Sequence, residues 1–188
     1  MRSSKRDRII TGALELAHRD GFDTLTFEAL AEHVGLTRGG VIYHFRTKTE
    51  LLEGIADAFF ERWRNEALEA LGKPLEEASS AERVEALVRS VVDGEILPGE
   101  VSFMLSATPE AEKLKEAWDA LRREWVGEVS DLTSMQRVAL LAVDGWWANR
   151  AVDSRSRNPD EPAIADLIVS LAAGNNPDQA LAEAVDKD

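Results

Sequence analysis

Cysteine is missing from this sequence, which excludes a disulfide framework and any thiolate-ligated metal. Histidine is scarce, and His18, His33 and His44 fall in three separate helical contexts without the spacing of an HExxH-type metal site. Neither a glycine-rich phosphate cradle nor a nucleophile elbow is found, so the chain is expected to be no enzyme and to need no cofactor and no metal. No apolar run approaches the ~18–20 residues that cross a bilayer. The charged N-terminus also lacks the apolar stretch of a signal peptide. A cytoplasmic location with no membrane partner is therefore expected. Alternating polar and apolar stretches of strand type are lacking as well, which leaves an all-α chain.

The composition is 44% hydrophobic and 30% charged, that of a globular protein. The formal net charge of −13 argues at first sight against a nucleic-acid partner. The charge is, however, unevenly distributed. Of the 22 basic and 35 acidic residues, eight and six fall within residues 1–48, leaving 14 and 29 for residues 49–188. A slightly basic N-terminal portion can face phosphates while an acidic body repels them. Uneven surface charge without functional meaning is the alternative, and charge alone does not decide.

Apolar residues recur at helical spacing almost throughout. Ile9, Ile10, Ala13, Leu14 and Ala17 form a first stripe, closed by Asp20-Gly21. Phe27, Leu30, Ala31 and Val34 form a second, with Thr26 as its cap and Gly35 as its stop. Thr37 caps a third short helix ending near His44. Thr47-Lys48-Thr49-Glu50 reads as a capping box opening a long fourth helix to about Gly72. Further starts are marked by Ser79…Glu82, Thr108-Pro109 and Thr133…Gln136, with a break at Gly94–Gly99. A polar loop at Asp153–Asp160, a last main helix around Ile164–Leu171 and an acidic tail complete the chain. The predicted organisation is a three-helix helix-turn-helix domain at 1–48 and a larger helical domain at 49–188, about nine or ten helices in all.

The third helix carries the strongest chemical signal. Two adjacent glycines, Gly39 and Gly40, each cost about 1 kcal/mol relative to alanine inside a helix. Missing side chains let a backbone come close to a partner such as a DNA groove; a plain loop is the alternative. Thr37, Arg38, Tyr43, His44 and Lys48 stand around this gap. They can donate to phosphates or, from Arg38, to a guanine edge, while Val41, Ile42 and Phe45 turn inward.

Ile9 through Leu52, about a quarter of the chain, resembles the DNA-binding domain of the TetR family of transcriptional regulators. The resemblance is carried by Ile10, Ala13, Gly21, Thr24–Thr26, Leu30-Ala31, Gly35-Leu36-Thr37, Gly40-Val41-Ile42-Tyr43-His44-Phe45, Lys48 and Leu51-Leu52. Arg38-Gly39-Gly40 departs from it, because many members carry a bulkier polar residue there. The resemblance implies a homodimer whose two recognition helices enter successive major grooves of a near-palindromic DNA operator. It also implies a small-molecule effector that binds the body and releases the protein from DNA, making it a ligand-responsive repressor. Carried over by position, Thr26, Thr37, Tyr43, His44 and Lys48 become phosphate or backbone contacts, and Arg38, Gly39 and Gly40 the base-facing surface. An activator of the same fold, or a helical small-molecule-binding protein without effector-released repression, are the rival readings.

All five tryptophans lie in the body. Phe59, Trp63, Phe103, Trp118, Leu121, Trp125 and Trp146 are expected to line a pocket for a bulky apolar or aromatic effector, with ordinary core packing as the alternative. Asp144 either meets a cationic ligand or makes a polar contact with Arg150 or Asn149, the second being preferred. The helix at Val138–Ala151 is apolar nearly all round. A helix of that kind is buried on both sides, so Leu140, Val143 and Trp147, with Ile164, Leu167, Ile168 and Leu171, are expected to form a four-helix dimer interface. Internal burial in a monomer is the alternative.

Overall fold

The computed structural model describes residues 4–94, 96, 99–152 and 161–175. The expected loop Asp153–Asp160 and the tail beyond residue 175 lie outside these. Among the described residues every regular element is a helix, the all-α class that the periodicity predicts. None of their helices is long and apolar enough to cross a membrane.

The helices are α1 (Lys5–Asp20), α2 (Phe27–His33), α3 (Arg38–His44), α4 (Lys48–Leu71), α5 (Ser80–Asp93), α6 (Glu100–Met104), α7 (Pro109–Val126), α8 (Ser134–Val152) and α9 (Glu161–Ala172). Their starts follow local chemistry. The Ser79 hydroxyl accepts from the Glu82 amide and the Glu82 carboxylate accepts from the Ser79 amide, the reciprocal box expected there. Thr133 and Gln136 repeat it at α8. At α4 the Thr47 hydroxyl accepts from the Glu50 amide, but the Glu50 carboxylate reaches past Thr47 to the Arg46 amide, at 2.7 Å. At α1 a box between Ser4 and Asp7 starts the helix four residues ahead of its apolar stripe.

Two compact units organise the chain, Met1–Glu61 with Leu97–Trp118, and Arg62–Ile96 with Asp119–Asp188. In the first, Ile9, Leu30, Val41, Leu51, Ile55, Phe59, Phe103 and Leu114 are almost wholly buried. Phe103 meets Phe22 edge-on at 5.2 Å between centroids and Phe59 at 5.9 Å, arrangements aromatic pairs favour. Gly99 allows α6 to reach α1. Its φ of +81° suits glycine, and a Cβ there would stand 2.7 Å from the Leu14 carbonyl oxygen.

In the second unit α5, α8 and α9 pack together through Val84, Leu87, Val88, Leu140, Val143, Ile168 and Leu171. Arg150 donates to the Val92 carbonyl and the Gln136 amide to that of Ala172, tying α8 to both neighbours. Asp144 pairs with Arg122 at 3.2 Å, not with Arg150 or Asn149, because Arg150 is held by α5. One side of α8 is buried; the other leaves Val138 and Leu141 exposed, the latter by 74%.

Candidate nucleic-acid interface

The turn between α2 and α3 is set by glycine. Gly35, at φ +62°, donates to the Glu32 carbonyl, and Leu36 donates to that of Ala31. These two bonds make a Schellman ending, which satisfies carbonyls that α2 leaves open and turns the chain sharply into α3. The Thr26 hydroxyl then caps α2 by accepting from Ala29, and the Thr37 hydroxyl caps α3 by accepting from Gly40, at 3.0 Å. Each hydroxyl keeps its own hydrogen to donate elsewhere.

Helix α3 is anchored along one side. Val41 and Phe45 are buried and Ile42 half-buried, fixing the helix to the unit. Arg6 lies over the Phe45 ring at 5.2 Å and adds a cation–π contact from α1. Away from these contacts, Gly39 and Tyr43 are exposed and Gly40 and His44 half-buried; Arg38, in the first turn, is exposed although it shares the stripe of Val41 and Phe45. Tyr43 is 83% exposed, its ring edge-on to His44 at 5.2 Å. Cβ atoms built on Gly39 and Gly40 would meet little but the Thr37 hydroxyl, at 4.0 and 3.3 Å. Internal packing therefore gives no reason for Gly39, while at Gly40 a Cβ would be a tight fit against the capping hydroxyl and Leu36.

The predicted DNA-facing residues lie on α3 and at the helix ends beside it, and two of them are tied to other elements. The Lys48 ammonium donates to the Phe22 carbonyl at 2.7 Å, which anchors its position and leaves two further N–H donors. Arg38 pairs with Glu28 of α2 at 2.5 Å. The Glu28 carboxyl is held below the usual carboxylate range by a hydrogen bond from its own backbone amide and then by Arg38. Sequence reasoning does not single out Glu28, because nothing in the spacing of 28 and 38 indicates which residues meet across the turn. Behind this face His33 meets Glu15 at 2.7 Å, and Gly12 lets α1 approach Val34 and His33 closely.

The predicted effector lining divides between the two units. Phe59, Phe103 and Trp118 belong to the first; Trp63, Leu121, Trp125 and Trp146 belong to the second. Phe59 and Phe103 are packed against each other, and Leu121 and Trp125 are buried. In the second unit an open cavity of about 720 Å³ lies between Arg64 and Leu68 of α4, Pro74–Glu76, Arg83 of α5, and Glu124 and Trp125 of α7. Its walls mix cations, carboxylates and an indole. Of the residues named for a dimer interface, Leu140, Val143, Ile168 and Leu171 are covered by their own unit. Trp147 and Leu167 are half-buried, and Ile164 is 39% exposed. Among the described residues no group of three or more His, Asp or Glu side chains is placed to hold a metal ion.

Residues 9–55 match the family described as bacterial regulatory proteins, tetR family. The chain is similar to the tetracycline repressor protein class C of Escherichia coli, with 36% identity over 58 residues. That match covers 31% of this chain and 26% of the repressor. It is likewise 40% identical over 50 residues to the HTH-type transcriptional regulator SrpR of Pseudomonas putida, covering 27% and 24%. The matched segment thus spans about a quarter of these relatives. The fold as a whole is similar to that of the ketosteroid transcriptional regulator KstR2 of Mycobacterium tuberculosis, at a TM-score of 0.65 and 15% identity over 93% and 96% of the two chains. AibR, solved with isovaleryl coenzyme A and operator DNA, gives a TM-score of 0.62 at 18% identity over 89% and 97%.

Proposed function

We propose that this chain, a member of the TetR family by its N-terminal domain, is a DNA-binding repressor that a small-molecule effector releases from its operator. The observation that carries the DNA half is the exposure on α3, a helix locked inward by Val41 and Phe45, of Arg38, Tyr43 and Gly39, a glycine that packing does not explain. Arg38 reads a base edge, and Thr26, Thr37, Tyr43, His44 and Lys48 hold the phosphates. Two copies act together in the cytoplasm on a near-palindromic site. The outward apolar side chains of α8 and α9, Val138, Leu141 and Ile164 with half-buried Trp147 and Leu167, supply the surface by which they associate.

The effector half rests on the aromatic content of the body and on similarity to regulators that bind organic molecules, AibR with isovaleryl coenzyme A among them. A bulky apolar or aromatic compound is the proposed effector, and of the predicted lining Trp125 borders the open cavity of the second unit.

A gel shift on the DNA upstream of the protein's own gene tests the DNA half. Binding that weakens with salt is expected, and the Lys48→Ala variant should weaken it for every sequence while flattening the salt dependence by about one unit. No binding at low salt, there or to any selected sequence, would refute it. Quenching of tryptophan fluorescence by candidate compounds, coupled to loss of the shift, tests the effector half.

A further inference from the structure

The proposed reading face carries a carboxylate, which phosphates would repel. Glu28 lies in the first turn of α2 and Arg38 in the first turn of α3, and they pair although both side chains are more than half exposed. The bond runs from Arg38 Nε to Glu28 Oε1. A guanidinium carries its five N–H donors in one rigid plane. Holding it by Nε leaves the Nη1/Nη2 end open, and that end can span O6 and N7 of a guanine. On α3 itself Gly39 and Gly40 follow Arg38 and offer no side chain to restrict its rotamers. What orients the guanidinium comes from across the turn.

We propose that Glu28 is a positioning residue for base reading: it holds Arg38 by Nε, presents the terminal edge to one guanine, and lowers affinity for DNA of every other sequence. The inference rests on the reading of α3 as a recognition helix. Because Glu28 balances its charge, Arg38 adds little to sequence-independent attraction and much to discrimination. An exposed ion pair contributes little to folding, so its effect is to be sought in recognition.

The test uses the full chain as wild type, Glu28→Gln and Glu28→Ala, each selecting sites from a random duplex pool and then titrated against single-base variants of the selected site. Wild type should lose about tenfold or more in affinity when one guanine is replaced. In Glu28→Ala that penalty should fall to about threefold or less, while binding to unselected duplex strengthens and its salt dependence steepens by about one unit. Glu28→Gln keeps an acceptor for Nε and should keep an intermediate penalty; being nearly isosteric, it also serves if the alanine variant melts early. An unchanged guanine penalty in Glu28→Ala overturns the proposal. So does loss of a cytosine preference at another position with the guanine preference intact, since Glu28 would then read a base itself. Wild type that selects no sequence refutes the DNA-binding reading beneath it.

Discussion

Replacing Gly39 with alanine separates folding from recognition within one methyl group. Gly39 has an ordinary helical φ, and the added Cβ would meet only the Thr37 hydroxyl, at 4.0 Å. No strain opposes the change, and the unfolded chain loses conformational freedom. A gain of about 0.5–1 kcal/mol is expected, or roughly 1–4 °C in Tm for a chain of this size. The same methyl stands on the exposed side of α3 that the proposed reading turns to DNA. There it holds the backbone off the groove and lengthens the contacts of Arg38, at an expected loss of about 1–2 kcal/mol, roughly five- to thirtyfold in affinity. Thermal unfolding followed by circular dichroism, with fluorescence anisotropy on a labelled operator duplex, reads both effects. A variant that gains stability and binds as tightly as wild type would refute close approach as the reason for the glycine. One that loses stability would refute the helical backbone assigned to α3.

The same substitution at Gly12 should act in the opposite direction. A Cβ there collides with Cγ1 of Val34 and presses on the His33 ring at 3.2 Å. Overpacking of about 1–3 kcal/mol outweighs the ~1 kcal/mol gained in helix propensity, and a raised Tm would contradict the packing of α1 on α2. Phe103→Ala removes a wholly buried ring from contact with Phe22 and Phe59 and should cost about 3–5 kcal/mol in urea unfolding; a loss under about 1 kcal/mol would show that the ring is not held there. Glu82 gives a pH signature. Hydrogen bonds from Lys73, and then from Ser79, hold its carboxyl at about 2 against an ordinary 4.5. Because the folded value lies below the unfolded one, its contribution is present above about pH 4.5 and is lost as pH falls toward about 2. Glu82→Gln should therefore melt earlier than wild type at pH 6, with the difference closing through that window; a gap that stays constant down to pH 2 would refute the cap as its source.

What the sequence made legible is mostly what is local. Gly35 and the Ser79…Glu82 box mark helix ends because the atoms they satisfy lie within six residues of them. The inward side of α3 was readable too, since Val41 and Phe45 repeat at helical spacing. The start of α1 was not, because the Ser4–Asp7 box precedes the first apolar residues and leaves no stripe to announce it. Contacts across a turn were hidden for another reason. Glu28 and Arg38, or Lys48 and the Phe22 carbonyl, meet only once α2, α3 and α4 have been placed. Helix α8 shows the limit of periodicity itself. A segment apolar on every side does not say which side its own chain covers, and the packing of α5 and α9 assigns Leu140 and Val143 inward and Leu141 outward.

The contact of Phe103 with Phe22 and Phe59 bears on how this molecule can be taken apart. The helices that present α3 are completed by chain that arrives some forty residues later, because residues 97–118 belong to the same compact unit as residues 1–61. A fragment cut after residue 61 would carry α1 to α3 yet leave the Phe22 and Phe59 rings without the cover of Phe103, and one cut after residue 48 would lose Phe59 as well. Such a fragment should be sticky and short-lived in solution. Anyone grafting this reader onto a foreign sensor must therefore transplant two stretches of sequence, or design a substitute for the second.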